Sequence, residues 1–95
     1  MTDDSRGWIY DSMETISDIT VREVGKAAES VLGRSLQVTA NSDIGRDLAV
    51  DSLALMNIVM ELEDKFDISI PLDRLAQVET VGDLSSLIDN IRLRA

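Results

Sequence analysis

The sequence lacks cysteine and histidine altogether, although it is 95 residues long. Without cysteine, the chain forms no disulfide and has no thiolate for metal binding or nucleophilic attack. Without histidine, Ser-His-Asp and Cys-His catalysis, His-containing zinc sites and histidine proton shuttling are excluded. No spacing matches a calcium-binding loop. We therefore expect a protein that is not an enzyme, with no catalytic residue and no metal site.

Aromatic residues are scarce, since only Trp8, Tyr10 and Phe66 are present. Most of the chain must therefore build its core from aliphatic side chains. No apolar run approaches the roughly 20 residues of a membrane-spanning helix. The N-terminus also lacks the basic and apolar regions of a signal peptide. We expect a cytoplasmic protein with no membrane partner.

Basic residues number 9 against 18 acidic ones, which gives a formal net charge of −9. A field of this sign repels nucleic acid and anionic lipid and favours encounter with basic protein surfaces. Solubility alone is an equally simple reason for an acidic surface. We expect a monomer that binds basic proteins and no nucleic acid.

The length fits one domain, which we divide into an N-terminal extension, residues 1–15, and a helical domain, residues 16–95. The extension is polar but contains one apolar cluster: Trp8, Ile9, Tyr10 and Met13. A disordered terminus and a segment that docks on the domain or on a partner both fit this composition.

Periodicity and capping patterns predict the first helix and the loop after it. The helix opens at the capping-box pattern Thr20–Glu23 and ends at Gly33, a residue suited to a left-handed conformation. Helical periodicity then fails over residues 34–50, which predicts a long loop. Three apolar residues should pin this loop to the core: Val38, Ile44 and Leu48.

The remaining helices follow in the second half of the chain. A second helix is predicted over residues 52–66, with Asp51 as its N-cap, and a short third element over residues 73–77. The last helix begins at the capping pattern Thr80–Asp83. One face of it is apolar: Val81, Leu84, Leu87, Ile88 and Ile91. With no strand pair predicted, the fold class is all-α, a small four-helix bundle with three main helices, one short helix and a long loop between helices one and two.

The second helix has more than one apolar face. One stripe has core spacing: Leu55, Val59, Leu62 and Phe66. A second stripe points elsewhere: Leu53, Met56 and Met60. Methionine adapts its shape to several partners, and full burial of a helix is hard to arrange in so short a protein. The second stripe therefore favours partner binding, although packing under the 34–50 loop would also explain it.

The heptapeptide Asp-Leu-Ala-Val-Asp-Ser-Leu at residues 47–53 leads into the second helix, which ends in Glu-Leu-Glu-Asp-Lys-Phe at residues 61–66. Ile-Pro at 70–71 and Thr-Val-Gly-Asp-Leu at 80–84 follow. With these flanks, the sequence resembles the acyl carrier protein family over about residues 18–93. The tripeptide Asp-Ser-Leu alone is weak, but the heptapeptide in this context is specific.

The resemblance implies that Ser52 carries a covalent 4'-phosphopantetheine arm, which a separate phosphopantetheinyl transferase attaches from coenzyme A. It implies a second role for Asp51, in this modification, beside its role as helix cap. The physical chemistry agrees, because a helix N-terminus favours a phosphodiester and a chain without cysteine needs an attached thiol to form thioesters. The implied partners are the transferase and the acyl-loading and acyl-consuming enzymes of fatty-acid, lipid or polyketide-type biosynthesis. Six residues are predicted to contact partners: Asp47, Leu53, Met56, Met60, Glu61 and Asp64.

Three positions depart from the pattern of familiar fatty-acid carriers. Ala49 replaces a common glycine, while Ala54 and Asn57 stand where acidic residues are usual. We interpret the chain as a specialised carrier. An aminoacyl or peptidyl carrier of a nonribosomal system, and an unmodified helical interaction module, are the alternatives. Four residues are candidates to contact an acyl group, though each also suits the core: Leu55, Val59, Leu62 and Ile70.

Overall fold

The computed structural model describes residues 15–94, so the apolar cluster of the predicted extension lies outside the described residues. Four helices follow in chain order: α1, Ile16–Leu32; α2, Ser52–Phe66; α3, Leu72–Leu75; and α4, Val81–Arg94. No strand occurs in this range, which confirms the predicted all-α bundle with its long loop between the first two helices. None of the helices within residues 15–94 is long and apolar enough to span a membrane.

The start of α1 differs from the prediction. Thr15 is its N-cap, because the Thr15 hydroxyl accepts a hydrogen bond from Asp18 N at 3.1 Å and the Asp18 carboxylate accepts one from Thr15 N. The predicted start at Thr20 is wrong because that residue is buried within the helix. There the Thr20 hydroxyl donates to Asp89 Oδ1 on α4 at 2.6 Å. Thr20 therefore does not cap α1, and its hydroxyl instead connects α1 to α4.

The bounds of α2 are those that the sequence predicts. Asp51 caps the helix through Oδ1, which accepts a hydrogen bond from Ala54 N at 2.8 Å. At the other end Asp67 takes a left-handed conformation with φ 56°. Gly33 ends α1 in the same way with φ 71°, which confirms the predicted helix end.

The last two helices are also close to prediction. The short α3 begins directly after Pro71 and ends at Leu75, so the predicted range 73–77 starts and ends too late. Pro71 has the fixed φ expected of proline, −64°, and sets the chain direction just before the helix. α4 begins where predicted, since Asp83 N donates to the Thr80 hydroxyl and Thr80 N donates to the Asp83 carboxylate, each at 3.0 Å.

Backbone hydrogen bonds hold the long loop between α1 and α2 against the segment that enters α4. Asp43 and Thr80 form an isolated antiparallel bridge. Beside it, Ile44 N donates to Glu79 O at 2.9 Å. The loop therefore gains its order from a segment more than thirty residues away in sequence. As predicted, its apolar residues reach the core: Ile44 and Leu48 are buried and Val38 is half-buried.

The same loop approaches the first turn of α4 very closely. Val81 N donates to Ser42 O at 2.9 Å, and Gly82 N donates to Ala40 O at 2.8 Å. A Cβ atom on Gly82 would lie only 2.8 Å from Ala40 O, closer than real Cβ atoms approach. The missing side chain at this position is what lets loop and helix touch.

The core is aliphatic and joins α1 to both α2 and α4. The predicted face of α4 is buried, apart from the half-buried Ile91. Of the predicted core stripe of α2, Val59 and Leu62 are buried, while Leu55 and Phe66 are partly buried. Ile58, which belongs to neither predicted stripe, is buried as well. At the end of α2, the Arg92 guanidinium lies 4.5 Å from the centre of the Phe66 ring.

Candidate functional site

Ser52 is the first residue of α2 and is exposed. It directly follows Asp51, whose carboxylate is occupied in capping the helix. The first N–H groups of any α-helix point out of its end, and the aligned peptide dipoles make that end positive. The Ser52 hydroxyl therefore stands in solvent at a position that favours a negatively charged group.

The loop before Ser52 is ordered by its own hydrogen bonds. Asp43 N donates to Asp47 Oδ2 at 2.8 Å, and Val50 N donates to Ile44 O at 3.1 Å. The Arg34 side chain donates to Leu48 O at 2.9 Å. These bonds fix the segment that leads to Asp51 and so hold the start of α2 in place.

Ala49 lies within this segment and has a left-handed backbone, with φ 55°. Only glycine adopts such a conformation without steric cost. The structure thus supplies a physical reason for the glycine that the resemblance leads us to expect at this place. In this chain Ala49 accepts the strained conformation that leads the loop to the cap.

A groove with a volume of about 330 Å³ runs beside Ser52. Its apolar lining comes from the loop, α2 and the segment before α4: Ile44, Val50, Leu55 and Val78. Three acidic residues also line it: Asp43, Asp51 and Glu79. Of the residues that the sequence suggested for acyl contact, Leu55 lines this groove, whereas Val59, Leu62 and Ile70 are buried in the core.

The second apolar stripe of α2 is on the surface. The exposed fractions of Leu53, Met56 and Met60 are 73%, 37% and 59%. The alternative that this stripe packs under the 34–50 loop is therefore wrong. These three residues form an apolar surface on the helix that begins at Ser52.

The acidic residues predicted to contact partners fall into two places. Glu61 and Asp64 are exposed and, with Met60, line a shallow groove of about 400 Å³. Val31 of α1 and Asn57 complete its lining. Asp47, also exposed, belongs instead to the loop before Ser52, where one of its carboxylate oxygens accepts a hydrogen bond from Asp43 N.

The chemical group that the site exposes is the Ser52 hydroxyl. The chain has no histidine, and residues 15–94 contain no group of acidic side chains that could hold a metal ion. The sequence predicts Ser52 and Asp51 as site residues but does not indicate that Val78 and Glu79 line the groove beside them. The only local signal for Val78 and Glu79 is that they directly precede Thr80, the residue that forms the bridge with Asp43 of the loop.

Comparisons with known proteins match most of the chain. A family model described as "Phosphopantetheine attachment site" matches residues 22–88. A curated protein of Caulobacter vibrioides named "Probable acyl carrier protein" is 70% identical over 83 residues, covering 87% of this chain and 96% of that protein. An "Acyl carrier protein" of Exiguobacterium sibiricum is 40% identical over 68 residues, covering 70% of this chain and 86% of that protein.

A solved structure is similar as well. The solution NMR structure of a holo acyl carrier protein from Geobacter metallireducens superimposes with a TM-score of 0.70 and 29% sequence identity. The superposition covers 79% of this chain and 87% of that one. The helical bundle described above is therefore shared with a carrier of known structure.

Proposed function

The chain belongs to the acyl carrier protein family, which carries covalently attached 4'-phosphopantetheine, and we propose that Ser52 is the residue to which this arm is attached. The protein is a non-catalytic carrier. When bound, the arm supplies the thiol on which acyl groups are held as thioesters. The observation that carries the assignment is an exposed serine in the first turn of α2, directly after a capping aspartate.

The residues around Ser52 fit such a group. On modification, Ser52 Oγ loses its proton and forms a phosphodiester as the pyrophosphate bond of coenzyme A breaks and adenosine 3',5'-bisphosphate leaves. The N-terminus of α2 stabilises the negative phosphodiester through its free N–H groups and positive dipole end. Asp51 keeps this helix end formed, and we propose that its carboxylate also serves the transferase.

The groove beside Ser52 suits an apolar cargo. Its lining by Ile44, Leu55 and Val78 gives an acyl chain a place to remove apolar surface from water. The acidic residues at the same groove disfavour an anionic cargo. We therefore propose an acyl group as the cargo in preference to a charged one.

We assign partner binding to the exposed stripe of α2 and the acidic residues near it. The stripe consists of Leu53, Met56 and Met60, and Glu61 and Asp64 follow on the same helix. Basic surfaces on a phosphopantetheinyl transferase and on acyl-transferring enzymes would meet this charge, which raises encounter rates more than affinity. Asp47 extends the acidic surface on the other side of Ser52.

Intact mass spectrometry tests the attachment site. The full chain, incubated with coenzyme A and a broad-specificity transferase, should gain one phosphopantetheine increment, and Ser52→Ala should gain none. Ser17→Ala is a matched control, because Ser17 is also an exposed serine in the first turn of a helix. It should be modified like the wild type.

Two results would contradict the assignment. An increment that survives in Ser52→Ala would place the arm on another serine. An unchanged wild-type mass with several transferases, each active on a control carrier, would favour an unmodified helical module that binds through the stripe.

We further propose a specialised carrier of fatty-acid, lipid or polyketide-type biosynthesis that works as a cytoplasmic monomer. The position that supports specialisation is Asn57, which is exposed and lines the groove of Met60, Glu61 and Asp64 without adding charge. Asn57→Asp should therefore change the relative rates with which a panel of acyl-transferring enzymes accepts the modified protein. Identical rates across the panel would argue against a partner-selecting role for this position.

A further inference from the structure

A second apolar surface lies where α1 begins and α4 ends. Ile16, Ile19 and Leu93 are 61%, 40% and 76% exposed. A small groove of about 170 Å³ is lined by Ile16 and Leu93 together with Asp89 and Arg92. Three large aliphatic side chains near one groove are more than the scattered apolar exposure usual on a soluble domain. We call these three residues and the groove the end groove.

The end groove is separate from the carrier site. Arg92, which lines it, contacts Phe66 at the last turn of α2. Ser52 is at the opposite end of this 15-residue helix, roughly 20 Å along its axis. Neither the exposed stripe of α2 nor the groove beside Ser52 shares a lining residue with it.

We propose that residues 8–13 of the same chain dock in the end groove. Residues 1–14 precede Thr15, the cap of α1, and Ile16 at the groove is the next residue. Trp8 is eight residues before Ile16, at most roughly 29 Å away when extended and about 12 Å when helical. A segment tethered this closely has an effective concentration in the millimolar range, so modest contacts suffice to hold it.

The composition of the segment matches the groove. Four of its residues are apolar, and they include two of the three aromatics of the chain: Trp8, Ile9, Tyr10 and Met13. Aromatic side chains bring large apolar area at little cost in conformational entropy. The exposed apolar residues at the groove are aliphatic, so the aromatic rings of the segment would pack against an aliphatic surface.

The position of Ile19 gives an independent reason. With Thr15 as N-cap, Ile19 is the fourth helical residue, the position against which a preceding apolar residue packs in a hydrophobic staple. The usual staple partner here is Glu14, which is charged. Met13 is the nearest apolar side chain before the cap, and it can cover Ile19 only if the chain folds back over the start of α1.

Charge is also complementary. Residues 1–14 contain four acidic residues and one basic residue. The last turn of α4 carries Arg92 and Arg94 in a chain with only 9 basic residues. The carboxylate of Asp89, the acidic residue of the groove, accepts a hydrogen bond from Thr20. An acidic, aromatic segment is thus the occupant that this basic and aliphatic surface fits.

Fluorescence of Trp8, the only tryptophan, tests the proposal in the full chain. A synthetic peptide of residues 1–14 gives the emission of the free segment. Relative to the peptide, the full chain should emit at shorter wavelength and show severalfold weaker quenching by acrylamide. Leu93→Glu and Ile19→Gln should each move both values toward those of the peptide. Leu53→Glu is a matched control, because Leu53 is as exposed as Leu93 but lies at the far end of α2.

Any of three other outcomes would overturn the proposal. Emission and quenching equal to those of the peptide would mean that the segment does not dock. A blue shift that survives both groove variants would place Trp8 on another surface. A shift that disappears on dilution would identify a second copy of the chain as the occupant. Circular dichroism shows whether each variant is folded, and Ser52→Ala should retain the wild-type emission.

Discussion

At the residue scale, Asp51 combines two properties that one pair of substitutions separates. Its Oδ1 caps α2, and its charge lies beside the proposed attachment serine. Asparagine caps as well as aspartate, whereas alanine does not cap. We expect Asp51→Ala to lose about 1 kcal/mol of stability in denaturant unfolding, and Asp51→Asn to stay close to the wild type.

The same two variants test the role of the charge. If the carboxylate serves the transferase, Asp51→Asn should be modified more slowly than the wild type despite its intact cap. Rates of modification followed by intact mass would show this. Equal rates for the wild type and Asp51→Asn would limit Asp51 to its structural role.

At Ala49 we expect a substitution to increase stability. Its left-handed φ of 55° costs a residue with a Cβ atom about 1–2 kcal/mol, and glycine avoids this cost. Glycine in turn loses about 0.5–1 kcal/mol through its freer unfolded state. Ala49→Gly should therefore raise the free energy of unfolding by up to about 1.5 kcal/mol. Ala76→Gly is the control, because Ala76 is exposed with an ordinary φ of −62°, and it should be destabilised.

At the element scale, the contact between the long loop and α4 depends on Gly82. Helix propensity alone predicts that Gly82→Ala stabilises α4 by about 1 kcal/mol. The new Cβ would meet Ala40 O at 2.8 Å, however, and would disturb the hydrogen bond from Gly82 N to that atom. We expect a net loss of about 1–3 kcal/mol in thermal or denaturant unfolding.

Gly45 provides the matched control in the same loop. A Cβ atom on Gly45 would lie 3.7 Å from Asp43 Oδ1, which is ordinary van der Waals contact. Gly45→Ala should therefore be neutral or stabilising by about 0.4–1 kcal/mol. Equal effects of the two substitutions would mean that the close approach at Gly82 does not hold the loop.

The elements also show which parts of the fold the sequence can reveal. α2 was predictable at both ends because a cap at Asp51 and an unbroken apolar periodicity are local signals. The start of α1 was not, because Thr15 with Asp18 and Thr20 with Glu23 are equally good capping patterns. The choice between them is made by the hydrogen bond from Thr20 to Asp89, 69 residues away.

The candidate site follows the same rule. Ser52 and the exposed stripe were predictable because they lie on one helix with a specific motif. The groove beside Ser52 was not, because Val78 and Glu79 reach it only through the bridge between Asp43 and Thr80. An isolated bridge has no periodicity from which to predict it. The part of the site that the sequence does not predict is the part built by long-range contacts.

At the scale of the whole molecule, an ion pair between a partly buried glutamate and an exposed lysine joins α1 to α2. The Glu23 carboxylate pairs with the Lys65 ammonium and also contacts Lys26. The hydrogen bond from Lys65 lowers the pKa of Glu23, against a smaller opposing effect of burial. A lowered carboxyl pKa contributes stability that is complete above the ordinary glutamate value and is lost as pH falls through the lowered value.

A double-mutant cycle with Glu23→Gln and Lys65→Met should measure this contribution. We expect a coupling energy of at most about 1 kcal/mol near pH 7, which declines once the pH falls below the ordinary glutamate pKa and disappears below the lowered pKa of Glu23. Denaturant unfolding of the four proteins at a series of pH values gives the energies. A coupling energy that stays constant across this range would mean that the pair packs without an electrostatic contribution.

The exposed stripe and the proposed attachment serine lie on the same helix, α2, which affects how an acyl group would be delivered. Met56 is one turn from Ser52, about 6 Å along the axis of α2. The other end of α2 is held by the contacts of Lys65 with Glu23 and of Phe66 with Arg92. An enzyme that bound the methionines as proposed would therefore also fix the position of Ser52 and the direction in which the proposed arm leaves the helix. The distance from the bound surface to the thiol would then depend on the arm alone and would be the same for every acyl group.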